Sequence, residues 1–158
     1  MRKPFLSLTA LFVFALCPAA AAQNLEVGEA QADDGPYHVL KLDGREVYRT
    51  NEVSALSIHT TFHVLGVALI EETGGSACPA QYRLFNLQTA KLTEEFGSCS
   101  DLPQITQQNE KLTFTFPGYY HHMAAREPGF KPPPPATWVY QKGVIRQVKT
   151  TPSRRGRG

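Results

Sequence analysis

From Pro36 onward the chain reads as short runs of strand-forming residues separated by turn residues. Tyr37-His38-Val39-Leu40-Lys41-Leu42 is followed by Asp43-Gly44 and then by Arg45-Glu46-Val47-Tyr48-Arg49-Thr50. Asp-Gly between two such runs predicts a tight hairpin, because both central turn positions favour positive φ. Ala55 to Ile70 is rich in Thr, Val, Phe and Ile. Within it, Val64 to Ile70 is apolar at both parities, which predicts a central strand covered on both faces. A helix is the alternative for this run. Glu71 to Ser76 reads as a solvated turn. Cys78 to Leu87 is the next strand, Gln88 to Phe96 continues it or pairs with it, and Gly97 closes the unit. Gln104–Gln107 and Lys111–Phe116 are two strands joined by Gln108-Asn109-Glu110. In the second, Leu112, Phe114 and Phe116 share one parity and Lys111, Thr113 and Thr115 the other, the mark of one buried and one wet face. Thr137 to Tyr140, a Gln141-Lys142-Gly143 turn and Val144 to Val148 end the pattern. The expectation is an all-β domain over 36–149, an antiparallel sandwich or small barrel of about eight short strands.

Three segments fall outside that pattern. Residues 23–35 (QNLEVGEAQADDG) are polar without a sustained period and predict a flexible leader. Pro117 to Ala136 holds prolines at 117, 128, 132, 133, 134 and 135. No central strand tolerates that density, so a long loop ending in polyproline II is expected. Thr150 to Gly158 reads as a disordered basic tail.

The first 22 residues predict a secretory signal peptide. Arg2 and Lys3 precede the apolar run Phe5 to Cys17, Pro18 breaks it, and Ala19 to Ala22 offers a cleavage site. An uncleaved N-terminal anchor is the alternative. Leu16 before Cys17 and Pro18 after it argue against lipidation. Export to a periplasm follows. Of 16 basic and 14 acidic residues, Arg2 and Lys3 leave with the signal, so the mature chain is formally neutral. A neutral body with a short basic tail gives no support to nucleic-acid binding. After cleavage no segment is long and apolar enough to span a membrane. Two cysteines remain, Cys78 and Cys99, and an even count in an exported chain predicts one disulfide.

The stretch GGSACPAQYRLFNL followed by FGSCSDL, from Gly74 to Leu102, resembles a disulfide framework of small exported β-rich proteins of Gram-negative bacteria. The resemblance implies a periplasmic disulfide-bonded β domain and carries no activity with it. The overall style is also similar to periplasmic lysozyme inhibitors, which present a Ser-Gly-x-x-Tyr loop. Here Ser76 is followed by Ala77 and Cys78, so that motif is absent.

Four places hold residue types that could carry chemistry. His59 and His63 would form a metal pair on a helix, but on a strand they lie roughly 13 Å apart. Ser76 lacks the G-x-S-x-G elbow of a serine hydrolase. Glu71-Glu72 and Glu94-Glu95 are carboxylate pairs whose neighbours point to opposite strand faces. Tyr119-Tyr120-His121-His122-Met123 is the richest cluster. Its His and Met side chains suit copper, and its aromatics, with Phe130, suit a protein or peptide partner. The same aromatics could instead cover one open end of the sandwich. The reading is a non-enzymatic periplasmic binding or accessory protein with no cofactor, whose binding surface centres on Tyr119, Tyr120, His121, His122 and Phe130. The alternatives are an immunity or inhibitor protein against an envelope-targeting enzyme such as a lysozyme, and a metal-handling protein.

Overall fold

A computed structural model describes residues 23–149, apart from 34, 76, 121–125 and 127. The expectations for the signal peptide, for the tail and for His121, His122 and Met123 therefore lie outside the described residues. What is described is all-β, with one short 3-10 turn. The strands are β1 (Leu25–Ala32), β2 (Gly35–Leu42), β3 (Arg45–Thr50), β4 (Ala55–Phe62), β5 (Val67–Thr73), β6 (Ala80–Asn86), β7 (Lys91–Leu92), β8 (Gln104–Gln108), β9 (Lys111–Phe116), β10 (Ala136–Gln141) and β11 (Val144–Val148). They form three antiparallel sheets, ordered β1-β2-β3, β4-β5-β6-β7 and β11-β10-β9-β8.

The middle sheet is covered on both faces. On one side Val67 and Leu69 of β5 and Tyr82 and Leu84 of β6 pack with Leu112, Phe114, Phe116 and Tyr140 of the last sheet. On the other, Ala68, Ile70 and Phe85 pack with Leu40 and Leu42 of the first sheet. The two-parity apolar pattern of Val67 to Ile70 is what a strand between two layers requires. Each fully buried Phe, Leu or Ile here contributes roughly 1.5–3 kcal/mol. The architecture is layered, and no closed barrel is formed among the described strands.

Turn chemistry sets the hairpins. Asp43 and Gly44 both have positive φ, as do Lys142 and Gly143, so two-residue turns match the twist of the strands they join.

Four expectations are corrected. First, the leader over 23–35 contains β1, which pairs with β2 from Leu25↔Leu42 to Ala32↔Gly35. Leu25 and Val27 pack onto the core, and Asn24 and Asp43 exchange hydrogen bonds at 2.8 Å. The backbone ladder holds a segment whose side chains are mostly small or polar. Second, the described strands number eleven rather than about eight, the gain coming mainly from β1, the two-residue β7 and the division of one long run. Third, that run does not continue through Val64. His63–Leu65 forms the 3-10 turn, ended by Gly66 in the left-handed region, and the chain reverses into β5. Val64 is 88% exposed at its apex. Fourth, Glu71 and Glu72 belong to β5 rather than to a turn, and Glu72 is buried.

A bulge in β4 settles which face each residue meets. Ile58 pairs with Ile70 and Thr60 with Leu69, leaving His59 as the extra residue. Before the bulge, Leu56 and Ile58 face the first sheet. After it, Phe62 faces the last sheet. One inserted residue reverses the parity of a two-residue repeat, so both halves of β4 bury their apolar side chains.

Candidate functional site: a proline finger anchored beside the disulfide

β9 and β10 pair to their ends, where Phe116 faces Ala136. Beyond that point the two chain limbs run on side by side as a finger. The reason they do not continue as a hairpin is chemical. Pro132 to Pro135 have no backbone N–H and cannot donate to a ladder.

Other contacts hold the limbs together. Gly118 lies so close to the Pro133 carbonyl that a Cβ would collide with it, so absence of a side chain is a packing requirement here. Further out, the Tyr120 and Phe130 rings meet at 4.8 Å between centroids, tilted by 56°. Aromatic pairs at this separation add about 0.5–1.5 kcal/mol beyond the area they bury. At the base, Ser98 Oγ donates to the Pro117 carbonyl at 2.7 Å.

Ser98 stands next to Cys99, which is bonded to Cys78 with the Cα atoms 4.6 Å apart. The expected disulfide is therefore present, and it lies beside the base of the finger. Gly97, at φ 129°, brings this loop against the Tyr82 and Phe116 rings of the core. The chain thus links core, disulfide and finger in sequence.

The finger presents apolar surface to solvent. Tyr120 is 41% exposed. Lys131 to Pro135 are all exposed, whereas Tyr119 and Phe130 are half-buried. Of the five residues expected to form a binding surface, the structure places Tyr120 and Phe130 in contact and Tyr119 beside them. The sequence pattern does not single out Gly118 and Ser98. Their part follows from where the two limbs and the disulfide loop meet, and local pattern carries no signal for that.

Two charged clusters lie elsewhere, on opposite faces of β5. Glu72 is 2% exposed. It accepts from Tyr48 Oη at 2.7 Å and from Arg83 Nε at 3.1 Å. Arg83 also donates to Glu95 at 2.6 Å and to the Thr93 carbonyl at 3.2 Å. The cluster joins β3 of the first sheet to β5 and β6 of the middle one. Burial, followed by the bond to Glu72, raises the Tyr48 pKa above the usual tyrosine value. Burial, the largest single influence, would lower the Arg83 pKa, but the charge and hydrogen bond of Glu72 with the Tyr48 and Glu95 charges together outweigh it and the net direction is up. Each charge has its partners, and the Glu72 carboxylate is not accessible to a substrate.

On the other face His59 Nδ1 meets Glu71 Oε2 at 2.9 Å. The His59 ring stands edge-on to Tyr82, 6.0 Å away. Tyr82 is fully buried. Burial first, then the Glu71 and Asp101 charges, push its pKa well up, so it stays neutral. His63 sits in the 3-10 turn, while His59 is engaged by Glu71. Among the described residues no three His, Cys, Asp or Glu side chains converge as metal ligands. Far from the finger, a groove of about 300 Å³ is lined by Leu84, Asn86, Leu92 and Tyr140, with Lys91 at its side. No described helix is long and apolar enough to cross a membrane.

Comparison with protein-family models, with curated proteins and with solved structures finds no match to this chain.

Proposed function

We propose that this chain is an exported, non-enzymatic binding protein of the bacterial envelope, acting in the periplasm and meeting a protein or peptide partner through the finger between β9 and β10. The observation that carries this reading is the combination of exposure and restraint. Tyr120 and the proline limb face solvent, yet the finger is clasped at Gly118, at Tyr120–Phe130 and at Ser98. A surface ordered before binding loses less entropy when a partner arrives, and Tyr is favoured at interface hot spots. The disulfide and the apolar run after Arg2 and Lys3 support export.

An inhibitor or immunity protein is the second reading. Two limbs that stay in contact beyond the last strand pair, at Gly118–Pro133 and Tyr120–Phe130, would offer an enzyme cleft a stiffened loop.

Tyr120→Ala tests the finger. Because Tyr120 is 41% exposed, its truncation should change stability by less than about 1.5 kcal/mol, well below the 3–5 kcal/mol of a core aromatic. Capture of a partner from periplasmic extract should fall with Tyr120→Ala relative to the unaltered protein. Undiminished capture, or a core-sized loss of stability, would sink the reading.

A further inference from the structure

We infer that the partner is a protein with a groove lined by aromatic side chains, which takes the Pro132–Pro135 limb as a polyproline II ligand. This rests on the finger being the recognition element and names what it is read by.

Four linked prolines have little conformational choice. Each ring holds φ near −65°, and each residue that precedes a proline is pushed toward extended ψ. Lys131 to Pro134 all precede prolines. The outcome is a polyproline II rod with three residues per turn, which sets Pro132 and Pro135 on one ridge. All four prolines are exposed. Gly118 meets the rod at the Pro133 and Pro134 carbonyls, so one flank is taken up by the clasp while proline surface remains open to solvent.

The chemistry of this rod restricts what can read it. With no N–H groups it cannot add to a sheet edge as a strand does. It offers flat apolar rings and carbonyl acceptors. Flat rings fit slots between aromatic side chains, and the ring N–H of Trp or the hydroxyl of Tyr can donate to the carbonyls. Lys131, exposed at the start of the rod, adds a positive charge that a carboxylate at the groove's end would complement. A rod already in its bound conformation also binds at low entropic cost.

The experiment uses the full chain exported in its native host, with a photo-crosslinking benzophenone residue at position 131 or, separately, at position 120. An adduct from position 131 is expected. Its yield should fall roughly tenfold in the Pro132→Ser, Pro135→Ser double variant, the factor expected from losing a modest share of the binding free energy. In membrane-free extract the peptide FKPPPPAT, matching 130–137, should compete for the adduct, and FKSPPSAT should not. The peptide arm decides the matter if the double variant fails to fold. An adduct at 131 that neither the serine changes nor FKPPPPAT diminishes overturns the inference. An adduct from 120 alone also overturns it while leaving the finger as a binding element. No adduct from either position removes both readings.

Discussion

Glu72 shows how one side chain can tie two layers together. It sits 2% exposed between β3 and β5 and accepts from both Tyr48 and Arg83. A buried carboxylate without such partners would be strongly unfavourable. Glu72→Gln removes the charge but leaves Arg83 partly buried, with Glu95 as its remaining carboxylate. Loss of one member of a fully buried pair costs 3–5 kcal/mol. The Arg83 side chain is 22% exposed, so a smaller loss of about 2 kcal/mol is expected in denaturant titration. Glu95 is 42% exposed, and Glu95→Gln should cost less than about 1 kcal/mol. Equal losses from the two variants would contradict this account. The tyrosines give a pH dependence of definite sign. Tyr48 and Tyr82 both have raised pKa values, burial being the first cause in each. Unfolded tyrosines release their protons near pH 10, before the folded ones do. Above that pH the native state holds more protons than the unfolded state, so stability falls as pH rises. Stability contributed by these groups is complete below about pH 10 and is lost through the folded-state titrations. Denaturant midpoints measured between pH 8 and 11 should decline from about pH 10 upward, and Tyr48→Phe should flatten part of the decline.

At the scale of elements, the β4 bulge is the most consequential feature. His59 has no partner in the β4–β5 register. Deleting His59 would leave Leu56 and Ile58 on one face and Thr60 and Phe62 on the other under plain alternation, with Ile58↔Ile70 and Thr60↔Leu69 as consecutive pairs. What the deletion removes is the partly exposed contact of His59 with Glu71 and its edge on the Tyr82 ring, about 1 kcal/mol. The deletion should therefore keep cooperative unfolding and the near-ultraviolet dichroism of the packed aromatics, with a loss of about 1 kcal/mol in denaturant titration. Loss of the cooperative transition would show that the two halves of β4 do not keep their facings once the bulge is gone. The finger is an element of the opposite kind. Among its described residues no strand ladder continues beyond Phe116↔Ala136, and proline stiffness, the close approach of Gly118 to Pro133, the Tyr120–Phe130 pair and the Ser98 bond to Pro117 contribute to its order.

For the molecule as a whole, the disulfide spans a sequence separation of 21 residues. In the chain-entropy model a loop of this size contributes about 3 kcal/mol. Replacing both cysteines by serine should lower stability by about that amount. Because Cys99 adjoins Ser98, which bonds the Pro117 carbonyl, the change should also loosen the finger base. Amide exchange at Gly118 to Tyr120 should quicken more than exchange in the first sheet. A uniform change across all three sheets would show that the bridge acts on the unfolded chain alone.

Much of this was legible along the chain. The alternation in Lys111–Phe116, the Asp43-Gly44 hairpin, the double-sided apolar run ending at Ile70, the cysteine pair and the proline loop all report local physics. Turn geometry, side-chain parity and proline stiffness depend on neighbours in sequence. What the tertiary structure decided depends on neighbours in space. β1 is a strand because β2 offers it a ladder, although its own side chains supply only Leu25 and Val27 to the core. Glu72 reads as a turn residue until Arg83 and Tyr48 are brought to it across two sheets. Likewise Gly118 acquires a role only where the proline limb comes against it. A pattern of apolar and polar residues specifies which face is buried, and the surface that covers it comes from chain segments that the pattern does not name.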